Sequence, residues 1–350
     1  MMTNVPLGKR VFRIACAAAI ALAVVSCGGG ESPSSAAEPT PVTPSGSAVE
    51  PAAVTSVPPP FYPADLRRAP VFKRLNEIRS RAGVGLLTQS PEIDGVAQDH
   101  TFYQLVNNED GPTETPGKRG YAGPTSDSRI NNESDYSDLL ESAEVTAALP
   151  FVNEAPSWVV GVDLLNLLMG SPYHRDVVLR AEYADVGLGL YDWSSATRLT
   201  IDFARTQANT QGAPDTPLII WPPDKSNGIP TSMFSGSLRP IPDNNGAPAG
   251  YAASVQVSRN FWMLDVTRFE IREAATGVLV DTKLLSFATD PQLNTTMGDH
   301  AFAAAFPKAP LAKNTAYTVT FEGTRTPLHG GVASPVSKTW SFTTGANDFF

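Results

Sequence analysis

The segment Ser171-Pro172-Tyr173-His174-Arg175 contains the side chain best suited to chemistry in this sequence. An imidazole can bind a ligand or a metal ion, and it can accept or donate a proton. The apolar run 158–169 precedes His174 and the strand-like run 186–191 follows it, so we expect the ring to be held rigidly, as a binding site requires. Ser171 lies three residues before His174, but that spacing alone does not predict a nucleophile and its base.

Motifs of the common hydrolases are absent. The sequence has no G-x-S-x-G elbow, no H-E-x-x-H and no glycine-rich phosphate loop. Among the other histidines, His100 lies on the apolar side of a predicted helix, where we expect a hydrogen-bonded core imidazole rather than a ligand. His300 and His329 have no metal-ligating partner at a useful spacing. The chemistry of the chain therefore centres on His174.

Helices are predicted before strands in the first half of the chain. The spacing of Phe72, Leu75 and Ile78 predicts a helix that ends near Gly83. A second helix begins at Ser90, a capping residue followed by proline, and includes His100. The other elements are a helix over 157–169 and strands over 186–191 and 199–203, which form a hairpin. This order predicts an α+β fold with a helix layer on a sheet.

Several spaced motifs together resemble one family. They are Leu75-Asn76-Glu77-Ile78-Arg79, the helix motif Ala97-x-x-His100, the segment around His174, and Gly187-x-Gly189. Over about residues 66–207 the series is similar to the CAP superfamily of cysteine-rich secretory, antigen 5 and pathogenesis-related-1 proteins, in its disulfide-free bacterial branch. The resemblance implies an α-β-α sandwich with a cleft lined by two histidines and two acidic residues, which sometimes hold a divalent metal. It also implies binding of lipids, sterols, peptides or partner proteins.

The resemblance assigns roles to individual residues. His174 matches the second histidine of the family, and Glu144 matches the acidic residue that follows the variable loop, with Glu141 as the competing candidate. The alternative to a place for His174 in a ligand cleft is a structural histidine bonded to backbone. The first family histidine is missing, because Pro112 stands at its position in Gly111-Pro112-Thr113-Glu114-Thr115-Pro116.

Two further acids complete the predicted cleft. Glu114 is retained in that motif, and Asp163 is the acid on the helix that leads to His174. A catalytic zinc ion normally has three protein ligands, usually with more than one imidazole, and proline offers no side-chain donor. We therefore predict a cleft of His174, Glu144, Glu114 and Asp163 with no bound metal and no cofactor; the alternative is a weak, oxygen-rich metal site formed by His174, Glu144 and either Asp163 or Glu114.

The N-terminus resembles a bacterial lipoprotein signal. Basic residues at 9, 10 and 13 precede the apolar run 14–25, which is too short to span a membrane as a permanent helix. Val24-Val25-Ser26-Cys27 resembles a lipobox, which implies cleavage before Cys27 and acylation of its thiol. An ordinary signal peptide is the alternative. Gly28 resembles the sorting pattern for the outer membrane if the host is Gram-negative.

Composition restricts the partners. Cys16 lies in the predicted signal and Cys27 would carry lipid, so no disulfide is expected. Removal of residues 1–26 leaves 23 Lys and Arg against 35 Asp and Glu, a net charge of −12, which argues against a nucleic-acid surface. Residues 28–60 are rich in Pro, Ser, Gly and Ala and are predicted to be a disordered tether.

From about residue 215 the pattern becomes all-β. Seven short strands are predicted, over 218–221, 253–257, 266–271, 278–284, 302–306, 317–321 and 338–343. The phrase 311–319, closed by 340–344, resembles a bacterial Ig-like or fibronectin-type module, with Tyr317 and Trp340 as core residues. The predicted organisation is a signal peptide (1–26), anchor and linker (27–60), a CAP domain (61–208) and an Ig-like β-sandwich (214–350). We expect the two domains to fold independently of each other.

Two functions follow from these patterns. The first is a lipid-anchored protein of the bacterial cell envelope, held to the membrane through Cys27, whose cleft binds an apolar or peptide ligand or an envelope protein partner. In this reading the β-sandwich is a spacer or adhesive module. The second is an envelope hydrolase, peptidase- or esterase-like, that acts through His174 and Glu144. Because the histidine pair is incomplete, we favour a binding protein over an enzyme.

Overall fold

The computed structural model describes residues 49–62, 67–150, 157–193, 196–233 and 240–348. The predicted signal peptide, Cys27 and the first part of the linker lie outside these residues. Within the described ranges, every helix is too short or too polar to cross a membrane.

The described chain has a mixed helical and strand part followed by strands alone. The first part contains α1 (Arg68–Ala82), β1 (Thr88–Gln89), α2 (Pro91–Asn107), α3 (Ser126–Glu133), β2 (Leu139–Pro150), α4 (Ser157–Gly170), α5 (Pro172–Val178), β3 (Asp185–Trp193) and β4 (Ala196–Thr206). The second part, which we call the β region, contains β5 (Ile219–Trp221), β6 (Ser226–Ile229), β7 (Ala253–Gln256), β8 (Trp262–Glu273), β9 (Thr282–Ser286), a π-helix (Gln292–Met297), β10 (Phe302–Pro307), β11 (Ala316–Pro327) and β12 (Ser334–Thr344).

Three layers form the first part. The sheet has the order β1-β3-β4-β2, and the predicted hairpin of β3 and β4 is antiparallel. Gly187 and Gly189 lie directly against the backbone of α2, where a Cβ atom would clash. Successive strand residues face opposite sides of a sheet, and Leu190 accordingly packs on Gly161 of α4 on the other face. The predicted α+β class with helices on both faces of a sheet is confirmed.

Local signals account for most helix ends. Gly83 ends α1 with a left-handed φ of 79°, and the Ser90 hydroxyl accepts a hydrogen bond from the Ile93 amide at the start of α2. Pro172 lies two residues after the end of α4 at Gly170 and also begins α5. His174 therefore lies within a short helix of its own.

Two four-stranded sheets form the β region. Their orders are β5-β7-β10-β9 and β6-β12-β11-β8, and residues of both sheets belong to one apolar core. Trp340 and Tyr317 are buried in it, as predicted for core residues. The strand predicted over 278–284 begins later, at Thr282, because Val278 and Leu279 are exposed after the turn at Gly277. Strand β6 was not predicted.

The β region and the layered part share one compact unit, residues 45–350. The Arg175 guanidinium donates to the Ala252 carbonyl at 2.8 Å and lies over the Tyr251 ring, whose hydroxyl donates to the Met169 carbonyl at 3.1 Å. Gln256 donates to the Asp176 carbonyl at 3.4 Å. All these groups are buried, so the sequence-predicted boundary between 208 and 214 crosses a continuous core.

The end of the predicted disordered linker packs on both parts. The Glu50 carboxylate accepts from the Ala213 amide at 2.6 Å and from the Trp262 indole at 3.0 Å. Val54 exchanges hydrogen bonds with Gln211 and Leu86. Residues 49–62 therefore lie along the folded unit. The prediction of a disordered tether is wrong for residues 49–60, because composition alone does not show the hydrogen bonds that these residues form with distant segments.

Candidate ligand cleft and its charge cluster

Helix α5 places His174 at the edge of a cavity of about 160 Å³, which we call the cleft. Pro172 starts the helix, and the buried Arg175 fixes it by donating to the Met169 carbonyl at 2.8 Å. His174 itself is 5% exposed. The cleft is lined by Pro112, Glu144, Val145, Thr146, Tyr173, His174 and Val177 from the layered part, and by Pro240, Gln292 and Met297 from the β region.

Strand β2 contributes Glu144. This strand lies at one end of the sheet order, and Glu144 is the register partner of Asp202 in β4, which is in turn the partner of Gly187 in β3. Partners in register project to the same face of a sheet, so Glu144 and Asp202 share the face that α2 covers. The Glu144 side chain is 1% exposed there.

Helix α2 inserts His100 between two carboxylates. The His100 ring is fully buried, with Nδ1 2.8 Å from Glu114 Oε1 and Nε2 3.2 Å from Glu144 Oε1. Burial alone would lower the pKa of His100, but the charge of Glu144 and the hydrogen bonds to both carboxylates raise that pKa to about 9. At neutral pH His100 is therefore a cation that donates from both ring nitrogens.

Arg129 of α3 completes this charge cluster. Its guanidinium donates to Glu144 Oε2 at 2.5 Å and to the Pro112 carbonyl at 3.2 Å. Burial alone would raise the pKa of Glu144, but the charges of His100 and Arg129 outweigh it, and the pKa is lowered. The pKa of Glu114 is also lowered, because hydrogen bonds from His100 and from the Ala122 amide exceed the effect of burial. Two cations thus neutralise two anions.

Asp202 is a fifth member of the charge cluster, and its pKa is shifted in the opposite direction from those of Glu114 and Glu144. Burial, and then the neighbouring Glu144 charge, raise the pKa of Asp202 well above its usual range. Ser126 donates a hydrogen bond to Asp202 Oδ1 at 2.6 Å. The sequence interpretation missed both Asp202 and Arg129. A lone acid in the apolar strand Leu199–Phe203 was an available signal for Asp202, because such a residue needs a buried partner.

Of the one histidine and three acids predicted for the cleft, two line the cavity and two do not. His174 and Glu144 line it, together with Pro112. Glu114 does not line it and lies behind His100, while Asp163 is half-buried on α4 and is not among the lining residues either. The competing candidate Glu141 pairs with Arg205 at 2.9 Å instead. His100, interpreted as a bonded core imidazole, is buried, and its two ring nitrogens form hydrogen bonds with Glu114 Oε1 at 2.8 Å and with the Gly111 carbonyl at 3.2 Å.

The donor set does not fit the divalent metal found in some CAP relatives. Both nitrogens of His100 are engaged by carboxylates, and Pro112 brings no donor to His174. Among the described residues, no group of three His, Cys, Asp or Glu side chains is arranged to hold a metal ion.

Comparison with known proteins agrees with this geometry. Residues 72–203 match the family model of the cysteine-rich secretory protein family, CAP. These residues form a CAP domain. The matched range begins in α1 and ends in β4, so it contains His100, the whole charge cluster and His174, while the β region lies outside it. No curated protein sequence matches the chain significantly.

Two solved structures are similar over part of the chain. An outer surface protein from Borrelia burgdorferi matches at 14% identity and a TM-score of 0.32, over 39% of this chain and 90% of that protein. An extracellular protein with an SCP domain from Bacillus anthracis matches at 25% identity and a TM-score of 0.32, over 39% of each chain. This chain therefore spans well under half of the Bacillus protein.

Proposed function

We propose that this protein is a lipid-anchored binding protein of the bacterial cell envelope. Its CAP domain would bind an apolar or peptide ligand, or a segment of a partner protein, in the cleft at His174. The observation that carries the proposal is the position of His174 at a cavity with a largely apolar lining, beside a cluster whose charges are paired with one another.

The composition of the cleft supports an apolar ligand with a few polar contacts. Val145, Val177, Met297 and two prolines supply apolar surface. His174, Thr146 and Gln292 supply polar groups. Binding sites for small molecules typically combine an apolar lining with a small number of such groups, which fix the orientation of the ligand.

The hydrolase alternative requires Glu144 to accept a proton. Its lowered pKa makes this carboxylate a weak base at neutral pH, and it forms ion pairs with both Arg129 and His100. A carboxylate in this state stabilises positive charge and does not relay protons efficiently. These contacts favour binding over catalysis.

Ligand capture by residues 45–350 tests the proposal. The wild-type protein and His174→Ala should be purified from a bacterial host under gentle conditions and compared by native mass spectrometry. A bound small molecule or peptide that the variant loses is the expected result, and His329→Ala is the matched control because His329 is exposed. Turnover of p-nitrophenyl esters or peptides that depends on His174 and Glu144 would instead support the hydrolase.

The membrane anchor is tested separately. The lipobox at Val24 to Cys27 implies that a diacylated Cys27 holds the protein, and more than one acyl chain gives stable anchoring. Cys27→Ser should move the protein from the membrane fraction to the soluble fraction. A variant that still sediments with membranes after a salt wash contradicts the anchor but leaves the cleft proposal intact.

A further inference from the structure

The β region forms one wall of the cleft of the CAP domain. Gln292 and Met297, at the two ends of the π-helix, line the same cavity as His174 and Glu144. Helices of this type are rare and often occur at functional sites. The segment Asp290–Asp299, which we call the cap segment, contains this helix and lies outside the matched family range.

Buried side chains join both ends of the cap segment to the CAP domain. At its start, the Tyr173 hydroxyl donates to Asp290 Oδ2 at 2.7 Å. At its end, Arg180 Nη2 lies 3.2 Å from Asp299 Oδ2, and Asp299 is completely buried. Tyr173 is the immediate neighbour of His174, so the residue that anchors the cap segment and the residue that borders the cleft belong to the same turn of α5.

The middle of the cap segment has an inner and an outer side. Leu293 is completely buried in the apolar cluster that also contains Tyr173 and Phe302. Residues 294–296 are exposed to solvent. The cap segment is therefore a thin cover, one helix deep, between solvent and the cleft.

The volume of the cleft limits the size of the ligand that it can hold. About 160 Å³ corresponds to about five water molecules at roughly 30 Å³ each. Pockets for drug-sized ligands measure about 300 Å³ or more. The cleft is therefore smaller than a typical pocket for a drug-sized ligand, and the cap segment forms part of its boundary.

We propose that the cap segment determines which ligands reach His174, with Gln292 and Met297 as the specificity-determining residues and Tyr173 and Arg180 as the anchors that keep it closed. This inference rests on the proposed binding function of the cleft and specifies its ligand: a small molecule or a single side chain in the closed state, and a larger ligand only when the anchors release.

Chemical labelling of His174 measures access without any ligand. Diethyl pyrocarbonate acylates unprotonated imidazole, and mass spectrometry of residues 45–350 can follow each histidine separately. The rate at His174 should be divided by the rate at the exposed His329 in the same sample. In the wild-type protein this ratio should be far below one.

Two variants should open the cleft. Tyr173→Phe removes the hydroxyl that binds Asp290, and loss of a buried hydrogen bond to a charged group should raise the labelling ratio about tenfold to a hundredfold. Met297→Ala shortens a side chain of the cover directly and should raise the ratio without breaking an anchor. The matched controls are Tyr317→Phe, which removes a hydroxyl bound to the Ala312 amide within the β region, and Met263→Ala in β8.

Rapid labelling of His174 in the wild-type protein, at the rate of His329, would overturn the proposal. Labelling ratios in Tyr173→Phe and Met297→Ala that stay equal to those of the two controls would also overturn it. If Tyr173→Phe fails to fold by circular dichroism, Met297→Ala decides the outcome. Because labelling needs no ligand, a protein that passes this test and captures nothing would refute the binding function while leaving the control of access established.

Discussion

The charge cluster around His100 should make folding stability depend on pH. The pKa of His100 is about 9 in the folded protein and about 6.5 in an unfolded chain. The folded state therefore binds one more proton than the unfolded state between these values. The stabilisation is fully present below pH 6.5 and is lost as the pH rises through 9.

The magnitude follows from the shift. One pKa unit corresponds to about 1.4 kcal/mol, so a shift from 6.5 to about 9 contributes on the order of 3 kcal/mol to the free energy of unfolding. That is a large share of the 5–15 kcal/mol typical of folded proteins, taken as a rough range. Urea denaturation of residues 45–350 at intervals from pH 6 to pH 9 should show the loss.

A substitution isolates the source of this dependence. His100→Gln cannot take up the proton, so its free energy of unfolding should be lower than that of the wild-type protein at pH 7 and should lack the decline that the wild-type protein shows between pH 7 and pH 9. His329→Gln, at an exposed site, should retain the slope of the wild-type protein. If His100→Gln keeps that slope, then the cation between Glu114 and Glu144 is not the group that titrates, and our account of the cluster is incorrect.

Three further predictions concern other buried groups. Burial raises the pKa of Glu182 to about 7, so the folded protein binds this proton more tightly than the unfolded chain does. The melting temperature should therefore fall as the pH rises from about 4.5 to 7, and Glu182→Gln should remove part of that fall. Residues 45–208 expressed without the β region should lack a cooperative unfolding transition, because Tyr173 and Arg175 lose their buried partners; a sharp transition would show independent domains. Chelators should not change the melting temperature, whereas Pro112→His should introduce a zinc-dependent increase; stoichiometric zinc in the purified wild-type protein would contradict this reasoning.

Local patterns were sufficient for the elements that bury a regular apolar face. Residue spacing predicts the helix that contains Phe72, Leu75 and Ile78, because its apolar residues repeat with the helical period of about 3.6 residues. It also predicts the hairpin over 186–203, whose strands have a period of about 2 residues. Helix α3 has eight mostly polar residues and offered no such period. It is stabilised by a capping box at Thr125 and by the burial of Arg129, which depend on the rest of the fold.

The sequence by itself indicated the CAP resemblance over about residues 66–207 and the α+β class, and the family match over residues 72–203 and the layered sheet confirm both. These depend on motifs whose residues are close along the chain or matched to a family pattern. Only the tertiary structure decided that His100 is buried between Glu114 and Glu144, and that residues of the β region line the cleft. The physical reason is that a pKa and a cavity depend on groups from segments that are distant in sequence, here α2, β2 and residues 290–299. The spacing of residues within one segment does not show that these segments lie close together in the fold.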